Sequence, residues 1–414
     1  MDKRTFVKSL ALLSLGAGPI SSRLQQLIAA PLPAGDDDFW TALRDGYTLN
    51  PDWINLENGY YCIQPRATLE KFLTHVRDVN REGAHYMRTV QFENKQRVAK
   101  KLADVAGCSP QELVITRNTT ESLDLVIAGF DWQRGDEAVM AEQDYGAMLD
   151  MFKQVARRHG VVNKVVSLPN HPQSDEEVVE LYARALTSKT KLLMISHMVN
   201  ITGQILPVRK ICDMAHSRGV QVMVDGAHAF AHLVYRIPDL HCDYYGASLH
   251  KWLSTPLGAG ILYVKKENIS RVWPLLADGD RAPDDIARLN HIGTHPVHTD
   301  LTIEDALDMY QQIGPARKEA RLRFLQTYWT SQVRDIPRVV VNTPKDPARA
   351  CAIANVGIQD MKPQALADVL LSKYKIYTVA IDGANVHGCR ITPNVFTTTG
   401  ELDVLVKALR ELAS

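Results

Sequence analysis

From about residue 95 onward, short apolar runs alternate with longer stretches in which apolar positions recur every three or four residues. The longer spacing marks helices with one buried face, and the short runs mark strands covered on both faces. Glu112 to Thr116, Glu137 to Ala141, Lys164 to Ser167, Lys191 to Ser196, Gln221 to Val224 and Asp243 to Ala247 read as strands. Val98 to Ala106 (ending near Gly107), Thr119 to Ile127, Met148 to His159 (ending at Gly160) and Val208 to Ser217 (stopped by Arg218-Gly219) read as helices. Such alternation predicts an α/β fold with a parallel or mostly parallel sheet covered on both faces. Right-handed crossovers then bring the strand ends and their loops to one side.

After Gly260 to Val264 the character changes. Residues 300 to 333 carry one or two long helical patterns, Val339 to Asn342 and Ile353 to Gly357 read as strands, and Pro363 to Leu371 and Leu402 to Leu412 as helices. This predicts a smaller α+β domain beside the large one, with 76–304 as the large domain and 35–75 joined to 305–414 as the small one. A chain of 414 residues is too long for one small core, which agrees with two domains.

The amino terminus has its own pattern. Lys3-Arg4-Thr5-Phe6-Val7-Lys8 precedes an apolar run from Ser9 to Ala17, then Gly18-Pro19 and small residues, with Ala29-Ala30-Pro31 and Pro33-Ala34 later. A charged start, a short apolar core and small residues are the parts of an export signal, and the run is short for a membrane span. Lys-Arg-x-Phe-x-Lys resembles a twin-arginine signal with Lys3 in place of the first arginine. Residues 1–34 are therefore expected to be a signal and linker, giving a periplasmic protein without a stable membrane anchor. The alternative is an amphipathic amino-terminal helix in a cytoplasmic protein. Pro31 to Asp38 reads as linker.

Composition excludes a good deal. Lys plus Arg and Asp plus Glu both total 47, so nothing suggests broad nucleic-acid binding or a polybasic membrane face. The six cysteines form no C-x-x-C pair; their spacing suits neither a zinc site nor a disulfide scaffold, so no metal is expected.

Three segments could carry chemistry. Val222-Met223-Val224-Asp225 runs an apolar strand into an acid, followed by Gly226-Ala227-His228. A buried strand-end carboxylate needs a positive partner, unless it serves only as a helix cap. Lys251 lies among apolar and aromatic neighbours in Tyr245-Gly246-Ala247-Ser248-Leu249-His250-Lys251-Trp252, 26 residues beyond Asp225. Desolvation there would lower its pKa and free the amine as a nucleophile. Thr116 to Ser122 follows a strand and opens a helix. Its hydroxyls and backbone N–H groups make either an anion cradle or an ordinary capping box, with Thr119 and Ser122 or Thr120 as capping candidates.

A phosphate cradle, a strand-end acid and a buried lysine occur in that order on an α/β pattern. With Asp144-Tyr145-Gly146-Ala147, Asn200-Ile201-Thr202-Gly203, Asp225-Gly226-Ala227-His228 and Ser248-Leu249-His250-Lys251, the chain from about Trp53 to its end resembles the class V aminotransferase family of fold-type I pyridoxal-5′-phosphate (PLP) enzymes. The motif style is that of the isopenicillin N epimerase-like branch. The resemblance implies a seven-stranded sheet in the large domain, PLP as cofactor and an amino-acid substrate. It further implies that Lys251 forms the internal aldimine and Asp225 pairs with the pyridine nitrogen. Tyr145 stacks on the ring, Asn200 donates to the ring hydroxyl and His228 lies near that hydroxyl or the phosphate. Asn118 and Thr119 hold the phosphate with help from Ser248 and His250. Thr294 reaches the partner subunit's phosphate, so a homodimer with shared sites is expected. Arg390 clamps the substrate α-carboxylate, and Asn58 lies on a substrate-side loop.

The same resemblance implies chemistry at the α-carbon of an epimerase, lyase or aminotransferase type. A cysteine desulfurase is the alternative, but the stretch Tyr377 to Gly383 has no cysteine, and Cys389 abuts Arg390. Two further alternatives are a non-catalytic exported protein that binds an amino acid or peptide, and a sugar aminotransferase. The Asp225 and Lys251 pair speaks against the first, and Arg390 against the second. His85, Tyr86 and Arg88, with Tyr60 and Tyr61, are left as residues that tune the outcome or simply pack at the core edge.

Overall fold

Residues 37–277 and 280–414 are described by a computed structural model. The expected signal, residues 1–34, lies outside the described residues. No described helix is long and apolar enough to cross a membrane. The end of the expected linker is helical instead: α1 spans Asp37–Arg44, burying Phe39 and Leu43.

A short strand β1 (Ile54–Asn55) is followed by helices α2 (Arg66–Glu82), α3 (Ala84–Thr89) and α4 (Gln91–Ala106). The α/β unit then runs β2 (Leu113–Thr116), α5 (Thr119–Gly129), β3 (Glu137–Ala141), α6 (Gly146–His159), β4 (Val162–Val166), α7 (Asp175–Ala185), β5 (Thr190–Ser196), α8 (Val208–His216), β6 (Gln221–Asp225), β7 (Tyr244–Ser248) and β8 (Gly260–Val264). Helices α4 and α6 end on Gly107 and Gly160, both left-handed, with φ of 72° and 75°. Those glycines close the helices because no Cβ opposes that conformation.

The strands form one seven-stranded sheet in the order β2-β8-β7-β6-β5-β3-β4. β8 alone runs against the direction of the other six strands. Every residue of β2, β3, β7 and β8 is buried, as expected of strands covered on both faces. One layer packs Leu123, Val126 and Phe152 on the sheet, and the other packs Leu102, Ile211 and Trp252. At about 25 cal/mol per Å² of apolar area, each such side chain contributes roughly 1.5–3 kcal/mol.

Two long helices follow, α9 (Val297–Ile313) and α10 (Pro315–Val333), broken at Gly314, where φ is 90° and Pro315 begins the second helix. Then come β9 (Val339–Val341), β10 (Ala354–Ile358), α11 (Pro363–Tyr374), β11 (Ile376–Tyr377), β12 (Val379–Gly383), β13 (Val386–Ile391) and α12 (Thr399–Ala413). A four-stranded antiparallel sheet, β12-β13-β10-β9, has its own core with Leu325, Trp329 and Leu405. The amino-terminal segment joins it: β1 pairs in parallel with β11, and Glu57 bridges to Thr392.

Candidate functional site

The carboxyl ends of β2, β3, β5, β6 and β7 share one edge of the sheet, where the register aligns Ser196 with Asp225 and Asp225 with Gly246. The loops leaving that edge carry Asn118, Tyr145, Asn200, His228 and Lys251. An open parallel sheet forms its crevice at this edge, because the strand-end loops diverge there.

Asp225 is 6 % exposed, and its carboxylate accepts the amide of Ala227 at 2.9 Å. Burial pushes this carboxyl above the ordinary range, while nearby Lys251 holds it down. Gly226 follows because nothing larger fits: a Cβ there would lie 1.9 Å from the Tyr245 ring and hydroxyl. Lys251 Nζ lies 3.0 Å from His228 Nε2 and 5.9 Å from the centroid of the Tyr145 ring. Burial lowers the Lys251 amine from 10.5 to about 8, and Asp225 acts against that shift. His228 is buried and held well below the ordinary histidine range, by burial first and then by Lys251. Its Nδ1 accepts the indole N–H of Trp252 at 3.4 Å. A neutral ring with Nδ1 accepting carries its proton on Nε2, which then donates to the lone pair of a neutral Lys251 amine.

The start of α5 forms the cradle. Ser248 Oγ accepts the Thr119 amide at 2.9 Å and lies 2.7 Å from Thr119 Oγ1. Asn118, rather than Thr119, Thr120 or Ser122, caps the helix, its side chain accepting the Glu121 amide at 2.9 Å. Gly260 sits between Ser248 and Thr116 in the sheet, and a Cβ there would lie 2.7 Å from the Asn118 backbone. His250 has a buried Nδ1 with no partner among the described residues, and burial lowers its pKa to about 4.

Tyr145 caps α6 and is 45 % exposed, an open aromatic face beside the lysine. Asp144, directly before it, is fixed by the Ala141 amide at 2.8 Å and by Ser196 Oγ at 2.7 Å. Burial raises that acid to about 7.

These residues fit PLP. Hydroxyls and amides at a helix start would hold the phosphate, and Asp225 would pair with the ring nitrogen. The Tyr145 face would cover the ring, and Lys251 would attach it. The unpartnered His250 nitrogen marks a place for a polar group of the ligand.

The substrate side departs from expectation. Asn58 is fully buried and spent on structure: its Nδ2 donates to the Thr392 carbonyl at 2.7 Å, and its Oδ1 accepts from Asn55 at 3.1 Å. It ties the loop to the end of β13 instead of facing a ligand. Its neighbour Glu57 reaches inward and pairs with Arg390, Nη2 to Oε1 at 2.6 Å and Nε to Oε2 at 3.2 Å. Arg390 Nη1 donates to the backbone carbonyl of Asn200 at 3.2 Å. Gly59 is also required, since a Cβ there would lie 2.8 Å from Arg390 Cζ. Thr294 is exposed on the loop before α9, and Tyr60 is 74 % exposed at the rim. His85 and Arg88 are exposed on α3, whereas Tyr86 is buried in it.

Sequence reasoning missed Glu57 and Lys318. Lys318 is 5 % exposed and donates to the carbonyl of Trp252, the residue after Lys251. Its signal was available, because it lies on the apolar stripe of α10 with Leu322, Leu325 and Trp329.

A family model described as "Aminotransferase class-V" matches residues 65–394. The isopenicillin N epimerase of Streptomyces clavuligerus is 26 % identical over 390 residues, covering 90 % of this chain and 98 % of its own. A probable cysteine desulfurase of Halalkalibacterium halodurans is 26 % identical over 333 residues, covering 77 % of this chain and 80 % of its own. Among solved structures, the apo cysteine desulfurase of Thermococcus onnurineus NA1 superposes with a TM-score of 0.79 at 20 % identity, covering 93 % of this chain and 99 % of that one. A cystine C–S lyase in complex with its product cysteine persulfide gives 0.78 at 22 % identity, covering 87 % and 98 %.

Proposed function

The chain belongs to the aminotransferase class-V family of PLP-dependent enzymes, and on that premise we propose that it transfers a proton at the α-carbon of an amino acid, with an epimerase-type outcome. The observation that carries this is the contact of Lys251 Nζ with His228 Nε2 at 3.0 Å, in surroundings that bring the amine to about 8. At pH 7 an amine in that range is free in roughly a tenth of molecules, far more than an ordinary lysine, and that fraction serves as a general base.

When bound, PLP supplies an electron sink that makes the α-hydrogen acidic. The remaining work falls to side chains of this chain. Lys251 Nζ takes the α-proton from one face, and inversion is completed by a proton delivered from solvent to the opposite face; the His228 Nε2–H holds the free amine in place until its lone pair is released to the substrate. Asp225 would keep the ring nitrogen protonated. Arg390 orients the substrate through its α-carboxylate. Tyr145 covers the site on the open side.

The six cysteines argue against a desulfurase. Cys62, Cys212, Cys242, Cys351 and Cys389 are buried and Cys108 is partly buried, and burial raises every one of the six thiols. None offers the accessible thiolate that sulfur transfer requires.

The test is to incubate the PLP-loaded protein in D2O with single enantiomers of common amino acids. The Cα–H signal is followed by NMR and chirality by chromatography. Exchange with appearance of the opposite enantiomer supports the proposal. Accumulation of a keto acid would place the enzyme with the lyases or aminotransferases, and no exchange with any amino acid would refute the reading.

Two finer points belong to the same proposal. Exposed Trp273, Leu275, Leu276 and Leu257, together with exposed Thr294, support a homodimer in which Thr294 reaches the other subunit's phosphate site. Sedimentation of a single species at twice the chain mass checks this. The twin-arginine-like start supports export to the periplasm, and cell fractionation checks that.

A further inference from the structure

The Arg390–Glu57 pair carries an inference about substrate charge, and it rests on the amino-acid reading above. Both side chains are largely buried, at 9 % and 6 % exposure. Glu57 cannot easily leave. Its amide donates to Asn55 Oδ1 at 3.1 Å, its Oε1 accepts the Tyr60 amide at 2.9 Å, and its backbone bridges to Thr392. Fully buried Asn58 locks the next position. The carboxylate is a fixed part of the site.

A guanidinium has five N–H groups. Glu57 takes one from Nε and one from Nη2, and the Asn200 carbonyl takes one from Nη1. One N–H remains on each terminal nitrogen, enough for one carboxylate held by two bonds. The local charges balance as well. Lys251 is the neutral amine, Asp225 is set against the ring nitrogen, Arg390 is matched one to one by Glu57, and burial keeps His228 and His250 neutral. Lys318, the other buried cation beside this cluster, is spent on the Trp252 carbonyl. A zwitterionic amino acid enters this setting without net charge. A second carboxylate would bring an anion towards fixed Glu57, with no unspent cation among the described residues of the cluster to receive it.

We infer that Glu57 is a specificity-determining residue: it restricts the site to amino acids whose only carboxylate is the one on the α-carbon, and it excludes dicarboxylic amino acids.

The experiment titrates the PLP-loaded full-length protein with l-alanine, l-asparagine and l-aspartate, reading the cofactor's visible band, for wild type and Glu57→Gln. For wild type, half-saturation by asparagine is expected at least tenfold below that by aspartate. In Glu57→Gln, aspartate gains at least fivefold relative to alanine. An equal wild-type response to asparagine and aspartate, absence in both included, overturns the inference. So does an aspartate-to-alanine ratio that Glu57→Gln leaves unchanged. If Glu57→Gln fails to fold, the wild-type comparison decides alone. The two levels separate cleanly. If alanine perturbs the band but the charge preference is missing, only the role of Glu57 falls. If none of a full panel of amino acids perturbs it, the amino-acid reading falls and takes the inference with it.

Discussion

Replacing Lys318 by methionine tests whether a buried cation is held at a cost beside the cofactor lysine. Burial lowers the Lys318 amine from 10.5 to about 8, partly offset by Cys62 and Cys351. In the unfolded chain the amine keeps its proton to about pH 10.4. Between roughly pH 8 and 10.4 the unfolded state therefore binds more protons, and the stability contributed by this residue rises with pH. Below pH 8 the buried charge costs its full amount, about 3 kcal/mol. Methionine removes that cost but leaves the Trp252 carbonyl without its donor, a loss of about 1–3 kcal/mol. At pH 7 the variant should therefore equal or exceed wild type by up to about 2 kcal/mol. At pH 10, where about 0.7 kcal/mol of that cost remains, it should be weaker by up to about 2 kcal/mol. Urea unfolding of the apo proteins at both pH values measures this, and the difference between variants cancels groups common to both. A stability difference that stays constant from pH 7 to pH 10 would refute the reasoning, because a lysine titrating normally contributes no such change in that interval.

Recombination of apo protein with PLP should accelerate with pH around a midpoint near 8 instead of 10.5, since only the free amine attacks; stopped-flow absorbance checks this. Lys251→Ala should lack the borohydride-sensitive visible band altogether. Arg390→Met should lose about 3–5 kcal/mol, because Glu57 is left buried and unpaired, and pairing it with Glu57→Leu should restore most of that loss in a denaturation double-mutant cycle. Ser248→Ala should weaken PLP binding roughly tenfold by releasing Thr119, a loss near 1.4 kcal/mol readable by equilibrium dialysis. Gly226→Ala should destabilise the fold by several kcal/mol, well above the ordinary mutational range, as seen in the thermal midpoint, because its Cβ would lie 1.9 Å from Tyr245.

The α/β half of the molecule was legible because its signals are local. Two helix-ending glycines, several buried strands and the spacing of Asp225 and Lys251 lie within windows of a few dozen residues. Helix α2 passed unread because it buries only Thr68 outright and shows no broad apolar stripe. The substrate side was misread by one position. Asn58 and Glu57 are neighbours, and nothing in their sequence says which turns inward. The answer depends on Thr392 and Arg390, more than 330 residues away. The His228–Lys251 contact was hidden for a similar reason, since loops after two adjacent strands meet only once the sheet has formed. Lys318 was readable from its place on an apolar stripe, but what it bonds to was not.

The pairing of β1 with β11 and of Glu57 with Arg390 has a consequence for assembly on the ribosome. The groups that would hold the cofactor lie between Asn118 and Lys251, an unbroken stretch whose sheet is complete at Val264. Arg390, which pairs with Glu57, is made 139 residues after Lys251. Synthesis proceeds from the amino end at about 5–20 residues per second. A nascent chain thus passes through several seconds in which the cofactor half exists while its amino-terminal segment still waits for its partner strand. The cofactor-holding groups can thus be in place before the Arg390–Glu57 pair closes, and a chain cut short before β13 would keep those groups without that pair.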